Sequence, residues 1–353
     1  MGRGLAAPVA PAACAGAGVR VLLYADVDLS LPGGVETHVR ELASHLTGRG
    51  HDVEIFGRPA LLPPFRMVGR VDPARYDVIH QHAGVWPREL APGRGSVRTI
   101  HFCTAEKMAV YLRRGRLRTL ANPGNWRAVV EERSACHRPG AVIAVAEHVR
   151  AECERWYGLA PGRARVIPNG ASFAAPREGR EQVRARWGIA PDARVLLTIG
   201  RADFVKGYDL VARAWRRARL PAGSVWVIVG GAVERRAPGR VMTGPLPPGA
   251  VIDWIHAADV GALPSYYEGL SIAFLELLAA GRFTLAHDVG DAARVLATGA
   301  PGRIVPRSVD AWVTALEETL AAPPAAGPVL AESFRWSRVC EAVERVYAEA
   351  VAG

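Results

Sequence analysis

Apolar residues recur along this chain with two alternating periods. Short runs of continuous apolar character mark strands buried on both faces, and stretches with apolar residues three and four apart mark helices. Val19 to Ala25 predicts the first strand. Val35, Val39, Leu42, Ala43 and Leu46 then repeat at helical spacing, with Gly50 as a stop. Further strands are predicted at Val53 to Phe56, Asp77 to His80, Val97 to Phe102, Ala141 to Val145 and Arg165 to Ile167, with a helix from Glu147 to Tyr157 between the last two. A polar stretch from Ala174 to Gln182 reads as a linker. The alternation then restarts, with strands at Val195 to Ile199, Val225 to Val229, Val260 to Leu263, Phe283 to Ala286 and Arg303 to Val305. Helices fit Tyr208 to Arg219, Ser271 to Ala280, Asp291 to Ala297 and Val309 to Leu320. A last helix, Ser333 to Val351, carries Trp336, Val339, Val343, Val346 and Tyr347 on one side.

Two blocks of β-α-β alternation predict an α/β protein with two doubly wound parallel sheets facing a cleft. The expected division is a tail over residues 1–18, a first domain over 19–173, a second over 174–332, and a helix over 333–353 that packs back on the first.

Composition narrows this picture. The chain has 353 residues, 50% of them apolar and 22% charged, as in a globular protein. No apolar run approaches the ~20 residues that span a bilayer. Pro8, Pro11 and Gly16 interrupt the start, unlike a signal peptide, so a disordered tail and a cytoplasmic location are expected. The five cysteines are odd in number and none are paired at C-x-x-C spacing, which argues for reduced thiols. The net charge is +10, carried almost wholly by arginine, because lysine occurs only at Lys107 and Lys206. Such a balance favours phosphorylated ligands, anionic lipid or nucleic acid.

Four motifs carry candidate chemistry. Pro32-Gly33-Gly34-Val35-Glu36 lies between the first strand and helix, where glycines let a backbone approach a ligand and leave amides free. Gly200-Arg201 with Lys206-Gly207 puts a planar fork and a point charge on one loop, within reach of a diphosphate. Pro264 to Leu270 carries Glu268 into a helix that contains Glu276. A spacing of eight residues, ~12 Å if helical, suits different hydroxyls of one extended ligand better than one glycosidic bond. His80, His82 and His101 stand at strand ends without a carboxylate cluster, which argues against a metal, and His101 facing the cleft is the functional candidate.

In this order the motifs resemble glycosyltransferase family 4, retaining enzymes of the GT-B fold. The resemblance runs from about Val19 to Val351. It rests on Gly33 to Glu36, Val166-Ile167-Pro168-Asn169-Gly170, Gly200-Arg201-x4-Lys206-Gly207, Ala258-Asp259 leading to Pro264-Ser265, the Glu268/Glu276 pair, and Phe334-Arg335-Trp336-Ser337. It implies that Arg201 and Lys206 hold the donor diphosphate and that Glu268 contacts the transferred sugar. It further implies that Glu276 meets the ribose hydroxyls, that Gly269, Leu270 and Ser271 offer backbone at a helix start, and that Gly33 and Gly34 approach from the other domain. His101 matches the cleft histidine near the sugar. Transfer would be a metal-free front-face displacement without a cofactor, the nucleotide-diphosphate sugar being a substrate. The acceptor would be a small molecule, of natural-product kind for instance, or a lipid-linked one.

Three departures stand out. Glu268-Gly269-Leu270-Ser271-Ile272 replaces the family's E-G-F-G-L. Its later G-G-x-x-E reads Gly290-Asp291-Ala292-Ala293-Arg294. The segment between Gly57 and Tyr76 is short, implying a reduced acceptor side. The run Arg113-Arg114-Gly115-Arg116-Leu117-Arg118 is the expected dock for an anionic acceptor, and with it for peripheral membrane contact. Rival readings are a GT-B sugar-nucleotide epimerase and a basic protein binding nucleic acid or membrane surface. No nucleic-acid motif accompanies the charge, so a nucleic-acid partner is not expected.

Overall fold

The computed structural model describes residues 18–83, 95–138, 140–327 and 330–352. Apart from Gly18, the expected tail lies outside these residues, as does Cys14. The first block contains β1 (Arg20–Asp28), α1 (Gly34–Gly48), β2 (Asp52–Arg58), β3 (Met67–Val68), β4 (Val78–Ala83), β5 (Ser96–Ile100), α2 (Thr104–Arg113), α3 (Leu117–Leu120), α4 (Pro123–Cys136), β6 (Ala141–Ala144), α5 (Glu147–Tyr157) and β7 (Ala164–Val166). The second contains α6 (Arg180–Arg186), β8 (Val195–Ile199), α7 (Tyr208–Arg217), β9 (Val225–Ala237), β10 (Arg240–Gly244), α8 (Pro248–Ala257), β11 (Val260–Leu263), α9 (Ile272–Ala279), β12 (Thr284–Ala286), α10 (Ala292–Leu296), β13 (Gly302–Ile304) and α11 (Val309–Ala321). The chain then returns through α12 (Trp336–Ala352).

The first sheet has the order β3-β2-β1-β4-β5-β6-β7 and the second β10-β9-β8-β11-β12-β13. In both, the winding reverses once, between β1 and β4 and between β8 and β11. A doubly wound sheet opens a crevice at such a point, beyond the carboxyl ends of the strands. The Gly33-Gly34, Arg201/Lys206 and Glu268 motifs follow β1, β8 and β11, the strands at these points.

The strands form because their residues are apolar on both faces and helices cover each side. Val21, Leu22, Leu23 and Ala25 of β1 and Val195, Leu196 and Leu197 of β8 have no exposed surface. The last helix does pack back: Trp336, Val339, Cys340, Val343, Val346 and Tyr347 join the apolar cluster of β1, β2 and α1. A second cluster crosses between the sheets, uniting Ile100, Val142 and Val145 with Leu263, Phe274, Leu275 and Ala286.

Several segments differ from expectation. α2, α3 and α4 fill the connection between β5 and β6, which the apolar period left unassigned. The polar linker is shorter than expected, because α6 starts at Arg180. It docks where the buried Arg184 reaches Asp259 at 2.8 Å. β9 runs past its predicted end, bends at Gly230 and Gly231, and returns beside β10. Its outer arm descends in register, Ala237 opposite Arg240 and Glu234 opposite Thr243, so it runs antiparallel. This arm carries the consecutive exposed charges Glu234-Arg235-Arg236 and lacks the apolar face that would announce a strand.

Candidate active site at the sheet ends

The loop after β8 is built around Lys206. Gly207 takes a left-handed φ of 67°, and a Cβ there would lie 1.9 Å from the Pro264 carbonyl oxygen. The loops after β8 and β11 therefore touch through backbone. That contact brings the Lys206 Nζ to 2.8 Å from Glu268 Oε1, which also accepts from Ser265 Oγ at 2.6 Å. Both partners are largely enclosed, with 23% of the lysine and 11% of the glutamate side chain exposed. Arg201, at the start of the same loop, is exposed at the rim.

Across the cleft, the carbonyl oxygen of His101 lies 1.7 Å from where a Cβ on Gly269 would stand, so only glycine admits this approach of the two domains. Leu270 is buried, and its carbonyl accepts from Asn169 Nδ2 at 2.7 Å. Ser271 caps α9, its Oγ accepting from the Phe274 amide at 3.3 Å. At the start of α1, Gly34 has nothing within 4 Å of a Cβ position and opens onto unfilled space, whereas Gly33 is closed in by the Glu36 carboxylate.

Residues two apart on a strand share a face, and β4 places His80 and His82 with ring centres 4.0 Å apart. His101 and His38 complete the group: His82 Nδ1 lies 3.3 Å from His101 Nε2, and the His38 ring stands edge-on to His101 at 4.8 Å. His80 shares hydrogen bonds of 2.7 Å with the Tyr347 and Thr99 hydroxyls, and His38 one of 2.9 Å with Asn169. Burial pushes His38 down to about 4, an effect partly opposed by Asn169. Burial, with the neighbouring rings, holds His80, His82 and His101 well below the ordinary range. The cluster is neutral at pH 7. Among the described residues no group of three or more His, Cys, Asp or Glu is placed to hold a metal ion.

Glu276 is half-buried on α9. Burial pushes its carboxyl up to about 8, and Glu41 of α1 adds to the rise. The structure thus gathers Lys206, Glu268, Gly269 and His101 at one point, with Arg201 at the rim and Glu276 one helix turn and more away.

Residues 57–174 match Glycosyltransferase Family 4 and residues 193–322 match Glycosyl transferases group 1. The chain is a GT-B glycosyltransferase of family 4. It is 27% identical to D-inositol 3-phosphate glycosyltransferase of Kineococcus radiotolerans, over 90% of this chain and 91% of that one. It is 29% identical to the protein of that name from Thermobispora bispora, over 91% and 83%. Among solved structures it is similar to sucrose-phosphate synthase from Thermosynechococcus elongatus, with a TM-score of 0.74 at 19% identity over 94% and 99% of the chains. It is also similar to Anabaena HepE in complex with UDP-glucose, with a TM-score of 0.67 at 14% identity over 95% and 98%.

The glycosyltransferase holds three features that motif reading passed over. Lys107, on the first turn of α2, lies over the Phe102 ring at 5.2 Å. Burial lowers its pKa, and its field is shared with Asp203, Arg201, Glu268 and Lys206. The signal was present in the sequence: both lysines of an arginine-rich chain converge here. His148 and Asp291 bind each other across the domains, without any local pattern to announce it. The third is the set of partners taken by the arginine run, the expected acceptor dock. Arg113 pairs with Glu106, Arg114 lies over the Tyr266 ring at 4.1 Å, and Arg116 over Phe204 at 4.0 Å. Arg114 and Arg116 thereby lie across the seam between the domains, and all four arginines of the run keep exposed surface. No helix among the described residues is long and apolar enough to cross a membrane.

Proposed function

We propose that this glycosyltransferase moves a sugar from a nucleoside-diphosphate donor to a hydroxyl of a small acceptor, with retention of configuration and without metal or cofactor. The observation that carries this reading is the convergence of Lys206, Arg201 and Lys107 around Glu268, at the switch point of the second sheet. In the reading, the donor diphosphate takes Lys206 from Glu268, and Arg201 folds in from the rim. Glu268, relieved of its lysine, accepts a sugar hydroxyl. As the glycosidic bond breaks, the diphosphate oxygen gains charge, and fixed cations there stabilise the transition state more than the ground state. The incoming acceptor hydroxyl attacks from the same face and gives its proton to the leaving oxygen, so no protein nucleophile is needed. His101, neutral and held by His82, offers a hydrogen bond to the sugar without competing for the diphosphate.

The HepE complex supports a nucleotide-sugar donor. The relatives named for inositol 3-phosphate support a phosphorylated polyol as acceptor, and Lys107 is the first-domain cation that would meet its phosphate. The reading places the protein in the cytoplasm. A thermal-shift screen of nucleoside diphosphates and their sugars tests the donor. A ligand at a hundred times its Kd stabilises the native state by ~2.7 kcal/mol, so the correct base should stand out. Stabilisation by none of them sinks the donor assignment, and an epimer formed from donor alone turns the reading to an epimerase. Turnover should persist in excess EDTA, and activity lost there and restored by magnesium or manganese overturns the metal-free step.

A further inference from the structure

We propose that Asp291 and His148 form a positioning pair that locks the Glu268 loop against the first domain in its working place. The inference rests on the donor-site reading above and adds the device that holds that site in register.

Asp291 is the non-glycine residue with positive φ among the described residues, at 58°. This left-handed conformation is costly for a residue with a side chain, though Asp tolerates it better than most. It occupies the second position of the family's Gly-Gly turn, where glycine would bear no such cost. Retained strain of this kind calls for a compensating role, and the carboxylate shows one. It accepts from the Glu147 amide at 2.8 Å, the His148 amide at 3.2 Å and the His148 Nδ1 at 3.0 Å, all on α5 of the first domain. The N-cap residue of α5 is Ala146, which has no side-chain acceptor. The helix takes its cap from the opposite domain.

The other nitrogen of the ring completes the link. His148 Nε2 lies 3.0 Å from the Glu268 carbonyl oxygen. Both ring nitrogens thus face acceptors, a carboxylate and a carbonyl. Only the imidazolium donates at both. In agreement, the His148 pKa is raised: burial acts to lower it, but Asp291, Glu152 and the Glu268 carbonyl outweigh burial. The turn beneath is tight, a Cβ on Gly290 standing 2.9 Å from the Glu268 Cβ. Glu268 is therefore held by its side chain from Lys206 and Ser265, and by its backbone from the other domain.

The groups facing His148 are Asp291 from the α10 turn, the Glu268 carbonyl, and Glu152 on its own helix. Burial pushes Glu152 up to about 7, against the pull of Tyr267 and His148. The sign follows from the raised histidine. The double donation is complete below the ordinary histidine range and lapses as pH rises through the raised value. Glu152 gains charge over the same interval and delays the loss.

Asp291→Gly is the decisive variant, because it keeps the left-handed turn without strain and deletes the carboxylate. We expect kcat at saturating substrates to fall about tenfold with little change in melting temperature, since relief of strain offsets the lost cap. Asp291→Asn keeps one of the two acceptor oxygens, enough for one of the two amides, so it should recover part of the activity. Its alkaline limb should lie at lower pH, and its His148 titration, followed by NMR of the imidazole, should move down from the wild-type value. An Asp291→Gly enzyme within twofold of wild type overturns the proposal. So does a loss of activity that tracks a fall in melting temperature while Asp291→Asn leaves the His148 titration unmoved. A wild-type chain that no nucleoside diphosphate stabilises counts against the donor reading instead, and the His148 titration still decides the pair.

Discussion

The two sides of the cleft handle polar groups in opposite ways. At its sheet ends the first domain contributes the His38, His80, His82 and His101 imidazoles, buried, packed ring against ring and uncharged, while its cations Lys107 and His148 stand apart on α2 and α5. The second contributes ions: Lys206 is paired and partly exposed, and Arg201 is open at the rim. An imidazole loses little by burial because it can shed its proton, whereas a buried lysine or carboxylate needs a partner. The difference separates two tasks. In the proposed reaction, charge is kept where the leaving diphosphate must be met and let go, and neutral hydrogen bonding is kept where sugar hydroxyls are ordered.

Four measurements would break or sharpen that contrast. The largest effect is expected from Lys206→Ala, which should lower kcat as well as raise the donor KM, at a cost of ~2–4 kcal/mol of transition-state stabilisation. Near-normal kcat at saturating donor would mean that the charged side is no leaving-group clamp. Next is His80→Leu, which leaves the Tyr347 and Thr99 hydroxyls without this partner. Stability should fall by roughly 2 kcal/mol in urea denaturation, with kcat nearly unchanged, marking the deep histidine as structural. A larger loss in kcat than in stability would put His80 into the chemistry.

Glu276→Gln should act mainly on binding, weakening the donor by about tenfold, or roughly 1.4 kcal/mol. Ribose hydroxyls that donate to Glu276 favour its ionised form. Because that carboxyl titrates near 8 in the free protein, donor binding should tighten as pH rises from 6 to 8, and the Gln variant should lose this slope. Proton uptake rather than release on binding would refute it. The smallest effect belongs to Arg114→Ser or Arg116→Ser, each removing a cation–π contact worth about 0.5–1 kcal/mol. The acceptor KM should stay unchanged, and a raised KM would return the run to acceptor docking.

Where apolar period and burial coincide, the sequence was informative: α5 spans Glu147–Tyr157 and β8 Val195–Ile199, as the pattern predicts. The Lys206 and Glu268 motifs were legible because glycines fix the loops around them. The outer arm of β9 was not, since an exposed edge with three charges in a row buries no face. Nor was the fate of the arginine run. Arg114 and Tyr266 lie far apart in the chain, and a charge run on paper does not show which aromatic ring it will cover. The same holds for His148 and Asp291, which are 143 residues apart. The missing Glu at Arg294 was visible as a departure, but what Asp291 does in place of a glycine depends on a helix in the other domain.

The chain passes between the domains twice, and the two passages touch. The Ala171 amide donates to the Phe334 carbonyl at 2.8 Å, and Gly170 lies against the Trp336 indole. In effect the whole second domain is an insertion whose two ends are neighbours. A recombinant chimera that exchanges everything after Gly170 would strip the wall supplied by α12 from the first domain. One that exchanges only the stretch between Ala171 and Phe334 would leave that wall in place. Modular grafting of donor specificity onto this scaffold should therefore use two junctions, side by side, rather than one.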